Sequence, residues 1–142
     1  MSEIKAKAAG APIMPSAVND PRYQPFFEGL QRGEVKVRQC TNCGRWQWPP
    51  HDLCFECQGS EFEWHLMPTT GEVYSFTVMN RAFDPYHQDK LPYGVVIVAL
   101  GPVHITGRFL GDPESLRCGL QVALAWDELA LSGHSPAFSA TA

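Results

Sequence analysis

The stretch that decides the fold is Cys40-Thr-Asn-Cys43-Gly44, followed beyond Pro49-Pro50 by Cys54-Phe-Glu-Cys57-Gln58-Gly59. Two residues between thiols let each pair grip one tetrahedral ion while the N–H groups of the turn point at the sulfurs. Gly44 and Gly59 are expected to supply the positive φ that such turns need. The ten residues between the pairs are fewer than the usual gap of about 15–20, yet enough for a tight hairpin with Pro49-Pro50 at its tip. All four positions are cysteine, so no coordination position is left for water or substrate. That reads as a structural site rather than a catalytic one. A redox-active dithiol would want a βαβ context, which is absent. Cys40, Cys43, Cys54 and Cys57 are therefore expected to bind zinc, with iron as the other metal that four thiolates accept.

Working outward, Glu34 to Gln39 alternates Val35 and Val37 with polar neighbours, a strand signal, and Glu61 to Leu66 alternates Phe62 and Trp64 in the same way. Asp20-Pro21 and then Pro25 mark helix starts. Phe26, Phe27 and Leu30 share one helical face, and Gly33 is a suitable stop. So short a helix cannot stand alone and must dock on its own domain or on another chain. Together with Trp46 and Trp48, its apolar face exceeds what a small module buries, so a partner surface is one expected destination and the barrel the other. Residues 1–19, rich in Ala, Ser and Pro without apolar period, are expected to be an arm that is flexible or ordered by a partner.

After Leu66 the character changes. Gly71 to Met79 places Val73, Ser75, Thr77 and Met79 on one side and Tyr74, Phe76 and Val78 on the other. Gly94 to Leu100, Val103 to Phe109 and Gln121 to Trp126 complete four or five strands punctuated by Gly and Pro. No stretch there holds a helical period over three turns, so the segment reads as an all-β barrel or sandwich. The chain divides into an arm and helix (1–33), a metal ribbon (34–65) and a barrel (66–142).

Composition limits the partners. The 142 residues carry 44% hydrophobic and 18% charged residues and a formal net charge of -4, which argues for a globular chain. Between 66 and 142 the only cations besides histidine are Arg81, Lys90, Arg108 and Arg117, against seven acidic residues. Binding of single-stranded nucleic acid is therefore the second reading rather than the first. The longest apolar run, Tyr93 to Leu100, is far short of the ~20 residues of a membrane span. Met1 to Gly10 lacks the apolar core of a signal peptide. A cytoplasmic protein with no membrane association is the expectation.

No catalytic constellation emerges. Cys118, between Arg117 and Gly119, is expected to be a small buried hydrophobe. The five histidines show no H-x3-H spacing. His104 should lie on the strand face opposite Val103 and Ile105. The loop from Asn80 to Pro92 holds Arg81, Asp84, Tyr86, His87 and Lys90 but no Ser/His/Asp order, and Asp84 and Asp89 read as solvated charges.

The order F-F-E-G-L (26–30), C-T-N-C-G (40–44), W-P-P-H (48–51), C-F-E-C-Q-G (54–59), T-G-E-V-Y-S-F-T-V (70–78), L-P-Y-G-V-V-I-V-A-L (91–100) and C-G-L-Q-V (118–122) resembles the family known as domain of unknown function 35. The likeness covers about residues 20–140. It implies an N-terminal helical segment, a rubredoxin-like zinc ribbon and a C-terminal OB-fold. His51 departs from the family pattern, which has Arg after Pro-Pro; a partner or phosphate contact made there would be weaker or pH-dependent. Members accompany thiolase-like acyltransferases, acyl-CoA hydratases or retro-aldolases in sterol side-chain breakdown, toluene catabolism, archaeal mevalonate synthesis and acylphloroglucinol formation. The resemblance thus implies a non-catalytic subunit of a thiolase-type complex, with acyl-CoA at or near the interface. Arg81, His87, Lys90 and Tyr93 are its expected contacts with the CoA ester.

Overall fold

The computed structural model describes residues 20–82, 85–125 and 136–141. The expected arm at 1–19 lies outside the described residues, as do Asp84 and Trp126. Asp20 opens the described chain by accepting the Arg22 N–H at 2.9 Å, which caps a single 3-10 turn, Pro21–Tyr23. Helix α1, Gln24–Gln31, follows with its proline in the first turn, where no N–H is missed. Gly33, at φ +77, ends it as expected.

Three strands form the ribbon sheet, β1 (Val35–Cys40), β2 (Trp46–Gln47) and β3 (Phe62–Met67), in the order β2-β1-β3. Five more close a barrel: β4 (Thr70–Met79), β5 (Tyr93–Leu100), β6 (Val103–Phe109), β7 (Gln121–Ala125) and β8 (Ala137–Ala140), ordered β4-β5-β6-β8-β7. Among the described residues the fold is mainly β with one short α-helix, an OB-fold barrel and a cysteine ribbon, as the sequence implies. Among the described residues no helix is long and apolar enough to cross a membrane.

One core joins these parts. Phe26 and Leu30 are buried in it beside Val35, Val37 and Met67, and it continues into Val73, Val96, Val98, Leu100, Val122 and Phe138 of the barrel. The helix therefore spends its two best anchors inside its own chain, each contributing about 1.5–3 kcal/mol. Of the two expected destinations, the chain's own core takes Phe26 and Leu30. Phe27, Trp46 and Trp48 are half-buried against that core.

Two barrel details differ from the sequence reading. A bulge between Val73 and Ser75 changes the register of β4 on β5: Val73 pairs with buried Val98, whereas Ser75 and Thr77 pair with the half-buried Ile97 and Val95. The extra residue, Tyr74, switches the face on which successive side chains fall, so Val73 and Ser75 do not share a side. The barrel also closes through a strand the sequence reading did not name. β8 runs parallel to β6 and antiparallel to β7, and the Leu110 N–H donates to the Phe138 carbonyl at 2.8 Å. Gly107 makes room for it, because a Cβ there would sit 2.7 Å from the Phe138 ring.

Candidate metal centre

β1 delivers Cys40 at its last residue, and the turn that follows carries Cys43. The segment after β2 returns with Cys54 and Cys57 on a second knuckle. The four sulfurs lie within 4.8 Å of one another. Cys40 Sγ is 3.6 Å from Cys57 Sγ, and Cys43 Sγ is 3.6 Å from Cys54 Sγ. A tetrahedron with metal–sulfur bonds of ~2.3 Å has sulfur edges of about 3.8 Å, so the four thiols are spaced to hold one tetrahedral ion.

The knuckles are shaped by their own backbones. The Gly44 N–H donates to the Cys40 carbonyl at 3.0 Å and the Gln58 N–H to the Cys54 carbonyl at 2.9 Å, the same turn twice. Gly44 takes φ +79 as expected, but in the second knuckle the positive φ of +62 falls on Gln58. Gly59 serves a different purpose. A Cβ there would lie 3.2 Å from Cys57 Sγ and 3.6 Å from Cys40 Sγ, and its N–H points at Cys57 Sγ at 3.4 Å. Glycine at 59 keeps the sulfurs' space rather than supplying a backbone angle.

The thiols are unequal. A hydrogen bond from the Asn42 side chain and the Gly59 amide pull Cys57 down to about 6. The Cys57 and Glu56 amides pull Cys54 down as well. At Cys43 the Arg45 amide favours the thiolate, but desolvation and the three neighbouring thiols outweigh it and push the group up to about 12. Four thiolates repel one another, and a divalent cation is what lets all four ionise together.

A buried arginine, which the sequence reading missed, holds the second knuckle in place. Arg38, 9% exposed, donates through Nε (3.2 Å) and Nη2 (2.5 Å) to Gln47 Oε1 and through Nη2 to the His51 carbonyl. Its guanidinium lies 4.0 Å over the Phe62 ring. Gln47 in turn accepts from the His51 N–H at 3.0 Å and donates to the Leu53 carbonyl at 3.1 Å. The side chains of β1 and β2 thus fix the chain from His51 to Leu53, which leads into Cys54.

The other singled-out residues stand outside the thiol cluster, and three of the expected CoA contacts adjoin: the Lys90 N–H donates to the His87 carbonyl at 3.0 Å, and His87 meets Tyr93. His87 is buried and stacks on Tyr93, ring centroids 4.1 Å apart, rather than standing free in its loop. Arg81 and Lys90 are exposed, and Lys90 meets Asp89 at 3.2 Å. His104 lies opposite Val103 and Ile105 as expected and stacks on Tyr74 at 4.3 Å. Cys118 is exposed, not buried. Leu116 and Leu120 turn inward on either side of it and leave the middle of the turn facing water. A cleft of about 410 Å³ lined by Val78, Asn80, Pro92, Asp112, Pro113 and Glu114 offers carboxylates rather than cations.

Four clustered thiols on a small ribbon, packed against a closed five-strand barrel, define a zinc-ribbon and OB-fold protein. The chain belongs to the ChsH2, or DUF35, family of such proteins: residues 27–63 match the ChsH2 rubredoxin-like zinc ribbon domain and residues 64–127 the ChsH2 C-terminal OB-fold domain. A curated relative from Thermomonospora curvata, "Probable enoyl-CoA hydratase alpha subunit", is 28% identical over 107 residues, which is 72% of this chain but 32% of that protein. The chain thus spans about a third of that relative's length. Among solved structures, the Ltp2-ChsH2(DUF35) aldolase superposes with a TM-score of 0.73 at 24% identity, over 85% of this chain and 95% of that one. A DUF35 protein of unknown function from Sulfolobus solfataricus superposes with a TM-score of 0.61 at 16% identity, over 86% and 87%.

Proposed function

We propose that this protein is a cytoplasmic, non-catalytic subunit of a thiolase-type acyl-CoA enzyme, held in shape by one structural zinc on Cys40, Cys43, Cys54 and Cys57. The observation that carries the reading is the pairing of that ribbon with the OB-fold barrel, both halves matching one family, in which a curated relative is named as an enoyl-CoA hydratase subunit. The chemistry of the chain agrees. A thiolase nucleophile is a low-pKa thiolate beside a base or a helix N-terminus. Four of the five thiols here sit in one cluster, and Cys118 lies on an exposed turn beside Arg117. The metal supplies cross-linking of the two knuckles, and binding it is largely folding free energy.

The barrel contributes a wall near the acyl-CoA entrance. Arg81 and Lys90 meet anionic groups of the CoA ester, with Tyr93 held in place by the His87 ring behind it. The test is co-expression with a thiolase-type or hydratase-type subunit from the same organism. A stable hetero-oligomer is expected, in which Arg81→Ala raises KM for the CoA ester more than it lowers kcat. Failure of the two chains to associate refutes the reading.

A further inference from the structure

With Phe26 and Leu30 consumed internally, the ribbon still exposes large apolar groups on its second knuckle. Phe55 is 70% exposed, the most of any large apolar side chain described, and Leu53 is 51% exposed. Beside them lies a notch of about 160 Å³ lined by Arg45, Trp46, Gln47, Trp48, Cys54 and Phe55. We propose that this knuckle is the docking face for the enzyme subunit, with Phe55 and Leu53 as its apolar centre and the Trp46–Trp48 notch receiving one apolar side chain of that subunit. The inference rests on the reading above and names the surface it uses.

Three features select a protein as the occupant. The notch is smaller than the roughly 300–1,000 Å³ of small-molecule sites, and its size suits a single side chain. The charged groups around it are already paired, Arg45 with Glu56 at 2.7 Å and Arg22 with Asp52 at 3.5 Å. An apolar centre inside a neutralised polar rim is the anatomy of a protein interface. With Arg45 and Arg22 already engaged by carboxylates, the rim is a poor site for a phosphate backbone or a CoA diphosphate. Finally, the surface is preset: the Arg38–Gln47 network holds the chain from His51 to Leu53, so little ordering cost remains on binding.

The experiment measures Kd between the full chain, metal-loaded, and the co-expressed enzyme subunit, for wild type, Phe55→Ala, Phe55→Glu, Leu53→Asp and Tyr74→Glu. Tyr74 is the control, 61% exposed on the barrel. Metal content and circular dichroism verify that each variant is folded. Phe55→Glu is expected to weaken binding at least ~30-fold, the threshold of an interface hot spot, and Phe55→Ala and Leu53→Asp in the same direction. Tyr74→Glu is expected to stay within about twofold of wild type. Backbone amides 51–57 gain hydrogen-exchange protection in the complex. A complex of unchanged Kd in the Phe55 and Leu53 variants overturns this docking face while leaving the subunit reading intact. So does a self-dimer of this chain that Phe55→Glu dissolves without affecting the enzyme complex. No complex with wild type overturns both.

Discussion

Replacing Arg38 by alanine separates the knuckle-holding network from the metal itself. The substitution removes a guanidinium that bonds Gln47 Oε1 and the His51 carbonyl and lies over Phe62. Hydrogen bonds from a charged donor contribute about 1.5–3 kcal/mol, and an orphaned carbonyl costs about 1–3 kcal/mol. The ring contact adds about 0.5–2 kcal/mol. Against this stands the cost of desolvating the charge, several kcal/mol, which also holds Arg38 below its ordinary pKa. Gln47 Oε1 keeps the His51 N–H as a donor, so one acceptor is orphaned rather than two. The balance is a loss of about 2–4 kcal/mol. Urea unfolding followed by tryptophan fluorescence, at a fixed excess of zinc, measures it. Arg38→Met, which keeps the stem over Phe62, should lose less. Chelator-driven metal release should accelerate in Arg38→Ala, because the chain leading to Cys54 loses its anchor. An alanine variant within about 0.5 kcal/mol of wild type, with unchanged release, refutes the reasoning.

Other perturbations give separate readings. Cys54→Ser should drop the metal content of the purified protein and unfold the ribbon, checked by elemental analysis and amide dispersion; a fully folded, metal-free variant would contradict the structural role. Protons compete with the metal for thiolates, so retention falls as pH falls. Asn42→Ala removes the bond that pulls Cys57 down, the thiol then protonates at higher pH, and the midpoint of acid-driven release should move up. An unchanged midpoint would mean that Asn42 does not set it. Gly107→Ala puts a Cβ 2.7 Å from the Phe138 ring and 2.9 Å from the Pro136 carbonyl, and should cost about 1–3 kcal/mol in barrel melting with metal content intact.

The ribbon was legible because cysteine spacing is itself the coordination chemistry, and most barrel strands because β-branched alternation survives in one dimension. Arg38 was not. Beside Val37 it reads as the solvent side of an alternating strand, and only Gln47, His51 and Phe62, remote in sequence, make it a buried hub. β8 escaped for a related reason. Ala137 and Ser139 to Ala140 carry little apolar signal around Phe138, and the strand's place depends on the absent side chain at Gly107. The bulge at Tyr74 leaves no mark in composition, although it reverses which residues face the core. Cys118 was misread because its residue type is commonly buried, while the inward turn of its neighbours Leu116 and Leu120 decided its exposure. At the candidate loop, the pattern of polar residues was visible but the stacking of His87 on Tyr93 was not.

The central claim is tested most directly by measuring acyl-CoA turnover in three preparations: this chain alone, the thiolase-type subunit alone, and the two together. The account predicts no turnover by this chain, full turnover by the complex, and activity in the complex unchanged by Cys118→Ala. Turnover by the purified chain by itself, abolished by Cys118→Ala, would contradict it and make this chain the enzyme.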